Sequence, residues 1–372
     1  MSGSQTRVLI VAASTDIMGG QSVQAARLVQ HLKQEPAIEV GFLPINPRLP
    51  GVLRKLQAVK YVRTVTTSIL YWIELMATIP RFDTIHIFSA SYLSFLIAPA
   101  PALIIARLFG KRIILNYHSG EAEDHLRRWP RTTMPLLKLA DEIVVPSPYL
   151  VRVFGQFGLQ ANAIFNVIDF DRLTFRRRET LRPAFLSNRN FEAHYGVDVV
   201  LRAFSILQQR YPDASLVVVG DGPCRDELLR LADELKLREV KFLGRVEREQ
   251  MAKLYDQADC FLNGSRIDNQ PLSILESFAC GLPVVTTDAG GIPDVVTDGV
   301  NGLIVKLDDW EALARSAINL IENRALAAKL TSEARTDCAR YTWEAVRKQW
   351  LQAYAPAAAS KSWEHSSISA RQ

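Results

Sequence analysis

The sequence predicts an α/β protein of two doubly wound, Rossmann-like domains, each a parallel sheet flanked by helices, facing each other across a cleft. Three observations carry this. Short apolar runs alternate with amphipathic stretches through the first half of the chain. The alternation stops across Asp169–Pro183, a charged segment containing Arg176-Arg177-Arg178, and then restarts. The chain has 372 residues, 48% hydrophobic and 22% charged, enough for two separate cores. The predicted division is 1–170 and 171–339, with an Ala- and Ser-rich tail at 357–372 expected to be disordered.

In the first domain Arg7–Ala13 reads as a strand and Gly19-Gly20 as a loop. Ser22–Gln34 reads as a helix with Val23, Ala26, Leu28, Val29 and Leu32 as its apolar positions. Val40–Leu43, Thr84–Phe88, Arg112–Tyr117 and Glu142–Pro146 are the next strands. Ile69 to Pro80 contains Glu74 and is too short to cross a bilayer. Ile85 to Phe109 is longer, but His86, Pro99, Pro101 and Arg107 divide it into a strand and a helical stretch.

In the second domain the strands are Ala184–Ser187, Ser215–Val219, Val240–Leu243, Cys260–Asn263, Val284–Thr287 and Leu303–Val305. Helices fall at Val197–Arg210, Cys224–Leu235 and Arg248–Tyr255, and Trp310–Tyr354 reads as helical. Gly220-Asp221-Gly222-Pro223 and Gly290-Gly291-Ile292-Pro293 mark turns after strands. Ligands of such sheets bind beyond the carboxyl ends of the strands.

One stretch carries chemistry. Asp268-Asn269-Gln270-Pro271-Leu272-Ser273-Ile274-Leu275-Glu276 places a carboxylate in a loop and a second one about two turns into the helix that follows. The start of that helix offers free N–H groups and the positive end of the dipole, which suit a diphosphate. A carboxylate inside the helix can accept hydrogen bonds from a ribose diol. The one in the loop can do the same for a sugar. The bland alternative is that Asp268 caps the helix and Glu276 is solvated.

With the run that follows, Ser277 to Thr287, this string resembles the acidic-pair motif of the retaining glycosyltransferases of family 4. The resemblance covers nearly the whole chain and is strongest from about Ala184 to Val305. It implies the GT-B fold, with the acceptor-side domain first, the donor-side domain second and a C-terminal helix at about 340–356 packing back on the first. The family pair is Glu-x7-Glu; here the first acid is Asp268, shorter by one methylene. The resemblance gives Glu276 the nucleotide ribose, Asp268 the transferred sugar, and the Pro271, Leu272 and Ser273 backbone the phosphates. It also expects an Arg and, about six residues on, a Lys to clamp the diphosphate. Arg189 matches, while the Lys position falls on Tyr195, with His194 beside it. Gly19 and Gly20 match the family's glycine loop, His118 its histidine near the reacting sugar carbon, and Asn166-Val167-Ile168-Asp169 its interdomain hinge. A plain strand-to-helix turn and a structural histidine are the alternatives at the glycines and at His118.

The implied activity is transfer from a nucleotide-diphosphate sugar, a UDP-sugar first among them, to a glycan or lipid-linked acceptor in the cytoplasm. No cofactor and no obligatory metal is expected. A non-catalytic donor-binding sensor or partner subunit, and a sugar-nucleotide epimerase, are alternatives. A dehydrogenase is disfavoured because Ala12-Ala13-Ser14-Thr15-Asp16, not Gly-x-Gly-x-x-Gly, follows the first strand.

The net charge of +5 suits anionic partners, and dispersed basic residues with no recognised module argue against nucleic acid. Cys224, Cys260, Cys280 and Cys338 lack metal spacing and read as reduced thiols. Arg48, Arg54, Lys55, Lys60 and Arg63 lie beside Tyr61, Leu70, Tyr71, Trp72 and Ile73. Such a segment can rest peripherally on an anionic membrane or be a core-facing helix with a solvated basic face.

Overall fold

The computed structural model describes residues 5–16, 19–49, 51 and 59–355. Arg54, Lys55 and the tail 357–372 lie outside the described residues, as do the side chains of Lys60 and Tyr61. The described residues form two compact units. One comprises those up to Pro146, Val153–Val167 and those from Trp343 onward; the other comprises Ser147–Arg152 and Ile168–Thr342.

The first unit is built in chain order from β1 (Thr6–Ala12), α1 (Gly20–Leu32), β2 (Ile38–Pro44), α2 (Lys60–Thr78), β3 (Thr84–Ser89), α3 (Tyr92–Ile97) and α4 (Pro99–Leu108). It continues through β4 (Arg112–Tyr117), α5 (Ala122–Arg128), α6 (Pro130–Leu137), β5 (Glu142–Val145), α7 (Pro148–Gln156), whose first half groups with the other unit, and β6 (Asn162–Ala163). The strands pair in parallel in the order β2-β1-β3-β4-β5-β6. Every residue of β3 is buried, because helices cover both faces of the sheet and leave no solvent side to alternate toward.

The second unit follows with β7 (Ala184–Asn188), α8 (Val197–Arg210), β8 (Ser215–Val219), α9 (Arg225–Glu234), β9 (Val240–Gly244) and α10 (Arg248–Gln257). Next come β10 (Cys260–Asn263), α11 (Leu272–Ala279), β11 (Val284–Thr287), β12 (Leu303–Val305), α12 (Trp310–Glu322) and α13 (Arg324–Asp337). Its sheet is also parallel, ordered β12-β11-β10-β7-β8-β9. The core packs Phe185, Phe204, Leu216 and Leu262 beneath Leu313 and Leu330.

The stretch Trp310–Tyr354, expected to be helical, forms three helices. Asp309 accepts from the Ala312 N–H at 2.8 Å and starts α12, and Asn323 accepts from the Leu326 N–H at 3.0 Å and starts α13. The third is α14 (Trp343–Tyr354), whose Trp343, Val346, Trp350 and Tyr354 join Val8, Ile10 and Ile114 in the core of the first unit. Arg347 grips Glu35 through two bonds of 2.6 and 2.7 Å, and Tyr354 Oη meets His86 Nδ1 at 2.6 Å. Truncating a buried tryptophan of this kind costs about 3–5 kcal/mol.

Two arginines of the run at 176–178 are tied down. Arg178 is buried and donates to the carbonyls of Tyr255, Ala258, Cys280 and Gly281, which lie at or just past the carboxyl ends of α10 and α11. Burial pulls its guanidinium down to about 10, still charged at neutral pH. Arg176 and Arg182 pair with Asp259, which is itself buried.

Candidate active site

In the second unit the strand order reverses direction of growth between β7 and β10, where the crevice of a doubly wound sheet opens. Arg189 follows β7 directly, and Asp268 lies in the loop from β10 to α11. The adjacency of these strands brings the two residues together. Arg189 Nη2 donates to Asp268 Oδ2 in a pair that is largely buried. Asp268 also accepts from Ser265 Oγ at 3.3 Å and from the Asn269 N–H at 2.9 Å. It does not cap α11: Pro271 occupies that position, so the capping alternative fails.

Two glycines make this approach feasible. A Cβ on Gly220 would stand 2.0 Å from the Arg189 carbonyl oxygen, and one on Gly290 would stand 2.1 Å from that of Asp268. The turns at 220–223 and 290–293 therefore hold the backbone at Arg189 and Asp268 from behind.

Tyr195, in the position where a lysine was expected, brings a π face instead of a charge. Its ring centroid lies 4.1 Å from the Arg189 guanidinium carbon. Glu276, on α11, accepts from Tyr255 Oη at 3.0 Å, and Tyr255 accepts from Asn188 Nδ2 at 3.1 Å. Sequence reasoning missed Tyr255 and Asn188, because a tyrosine on an amphipathic helix and an asparagine ending a strand read as structure.

Several donors here are unspent. Ser187 Oγ, Arg189 Nε and Ser273 Oγ are buried with no hydrogen-bond partner among the described residues. Ser273 and Leu272 also occupy the first turn of α11, whose N–H groups lack carbonyls one turn back. Burying such groups without a partner costs about 1–3 kcal/mol each, so the arrangement fits an acceptor-rich, anionic ligand. The described residues contain no group of three or more His, Cys, Asp or Glu that could hold a metal ion.

The remaining expected residues belong to the first unit. Gln21 Nε2, one position after Gly20, and the His118 N–H both donate to the Ser89 carbonyl, at 2.7 and 3.3 Å. Gly19, Gly20 and His118 thus gather at the carboxyl ends of β3 and β4. Gly19 has extended backbone (φ −178°), and a Cβ there would meet nothing within 4 Å. Neither conformation nor protein packing demands glycine at that point. His118 stacks on Phe88 with centroids 5.1 Å apart, and burial pushes its imidazole down to about 3, so it is neutral at physiological pH.

The family described as glycosyl transferases group 1 matches residues 172–337. A GDP-mannose-dependent alpha-(1-6)-phosphatidylinositol monomannoside mannosyltransferase of Mycolicibacterium smegmatis is 32% identical over 260 residues, covering 63% of this chain and 68% of that protein. The sulfoquinovosyl transferase of Arabidopsis thaliana is 25% identical over 314 residues, and the match spans 77% of this chain but 59% of that protein. Among solved structures, Anabaena HepE in complex with UDP and glucose matches with a TM-score of 0.72 at 19% identity, covering 94% of this chain and 99% of that one. Sucrose-phosphate synthase from Thermosynechococcus elongatus gives 0.74 at 19% identity, covering 94% and 98%. The last two likenesses concern the fold.

Proposed function

The chain belongs to the glycosyl transferases group 1, and from that premise we propose that it moves a sugar from a nucleotide-diphosphate sugar, UDP-linked in the first instance, to a hydroxyl of a glycan or lipid-linked acceptor with retention at the anomeric carbon. The observation that carries this is the concentration of buried, unspent donors on Ser187, Arg189 and Ser273, beside the amino end of α11 and with Glu276 on the same helix.

The diphosphate takes the Leu272 and Ser273 amides, Ser273 Oγ and Arg189. Glu276, held by Tyr255, accepts from the ribose diol. Asp268 orients both Arg189 and the transferred sugar. Its short side chain matters here, because the charge that would face the sugar is already shared with Arg189.

In the reaction the bond from the anomeric carbon to the phosphate oxygen breaks, and a bond to the acceptor oxygen forms on the same face. The acceptor proton passes to the departing phosphate. Arg189 and the helix amides carry the developing charge, so the proposal has no obligatory metal or cofactor. The site of action in this reading is the cytoplasm, with the acceptor presented at a membrane face.

The occupation of the lysine position by Tyr195 favours a second reading, a donor-binding subunit that does not turn over. Incubation with candidate donors and acceptors, followed by NMR of the product's anomeric proton, tests the first. A product of unchanged anomeric configuration supports it. An inverted product overturns the retaining assignment. Donor binding without product in the native chain, with turnover gained in Tyr195→Lys, supports the second.

A further inference from the structure

The helix α2 presents an apolar stripe that is exposed among the described residues. Val62, Val65, Ile69, Trp72, Ile73 and Met76 are all exposed, Ile73 at 60% and Trp72 at 48%. Their spacings of three, four, three, one and three residues place them within one face of a helix of 3.6 residues per turn. The core-facing side is separate: Tyr71 and Leu75 are buried, and Tyr71 Oη donates to the Ala98 carbonyl at 3.0 Å beside α4. On α4 itself Ile104 and Leu108, one turn apart, are exposed as well, Leu108 at 78%. Solvent-facing apolar residues in such number on packed neighbouring helices exceed the scatter of a water-facing surface.

Near the stripe the described cations outnumber the acids. Arg63 lies on α2, and Arg81 ends the turn that follows it; both are exposed. The sole acid on α2 is Glu74, which stands between the buried and exposed apolar positions and is raised above the usual carboxylate range by burial. The bias extends through the whole unit. Residues up to 146, 153–167 and from 343 carry 20 Lys and Arg against 12 Asp and Glu, whereas the rest of the chain carries 24 against 27. Among the described residues no helix is long and apolar enough to cross a membrane. An exposed apolar helix face on a basic unit is the form that lies in the interface of an anionic bilayer.

We propose that the exposed face of α2 docks the first unit on an anionic lipid surface, with Trp72 and the two isoleucines inserted among the headgroups and Arg63 and Arg81 on lipid phosphates. This rests on the membrane-facing part of the reading above and assigns it a surface. It does not depend on donor chemistry.

The test is sedimentation of the full chain with phosphatidylglycerol-containing vesicles and with pure phosphatidylcholine vesicles, for the native protein and for the double variant Ile69→Glu/Ile73→Glu. Both positions are exposed, so the fold should tolerate the change, and donor binding measured in parallel is the control. The expected result is binding to the anionic vesicles only, weakened by salt, and lowered about tenfold or more in the variant. Absence of vesicle binding, or equal binding by the variant, overturns the proposal. So does a native dimer in light scattering that the variant converts to monomer, because a second copy would then cover the stripe. Loss of donor binding with vesicle binding intact would count against the transferase reading alone.

Discussion

Tyr255 donates its hydroxyl to Glu276 Oε2 at 3.0 Å while accepting from Asn188 at 3.1 Å. The acid assigned to the ribose is therefore aimed by α10 and by the last residue of β7. Tyr255→Phe removes the aiming bond and keeps the ring in the core. The expected effect is a loss of donor affinity of about 0.5–1.5 kcal/mol, roughly two- to thirteenfold, by calorimetry. Unchanged affinity would detach Tyr255 from the site.

Tyr195 supports Arg189 through its ring, so its hydroxyl should matter little. Tyr195→Phe should bind donor like the native chain, and Tyr195→Ala should bind it about two- to fivefold more weakly, matching a cation–π contact of about 0.5–1 kcal/mol. Equal loss in both variants would point to the hydroxyl.

Arg178 joins the ends of the two helices that carry Tyr255 and Glu276. Arg178→Met removes a buried cation from four carbonyls at those ends and from Asp259. It should lower unfolding free energy by about 3 kcal/mol in denaturant titration. Its donor KM should rise more than its kcat falls, and Arg178→Lys should restore part of both. A purely architectural role would leave KM unmoved in the folded fraction.

Stability should fall with acid over a defined window. Burial lowers the imidazoles of His86 and His118 to about 3 and of His125 to about 4. Their folded pKa values lie below the unfolded value of about 6.5. The stabilisation is thus fully present above about pH 6.5 and is lost progressively as pH falls toward the folded values. Thermal midpoints measured at intervals from about pH 7.5 to about pH 4 should decline below about pH 6.5. A flat profile through pH 5 would contradict neutral burial of these rings.

The sequence made some of this legible and hid the rest for physical reasons. Strand-helix alternation reports local burial, so the second sheet, five strands of the first and the start of α11 could be read from it; β6, two residues long, carries no period. The pairing of Arg189 with Asp268 spans 79 positions. It arises because β10 lies beside β7, a fact of topology that local periodicity does not encode. Arg178 misled in the opposite direction. Within an arginine run it reads as solvated charge, yet carbonyls from two helix ends make it a buried anchor. On α2 the pattern announced an amphipathic helix but could not say which apolar positions would be buried: Tyr71 went inward and Trp72 stayed out.

The measurement that bears most directly on the central claim is calorimetric titration of UDP-, GDP- and ADP-sugars into the native chain, Glu276→Ala and Arg189→Ala. The expected result is binding of one nucleotide class, weakened at least tenfold in each variant, in line with a lost charge-assisted hydrogen bond of about 1.5–3 kcal/mol. Native-like donor binding in both variants, or no binding of any donor to the native chain, would contradict it.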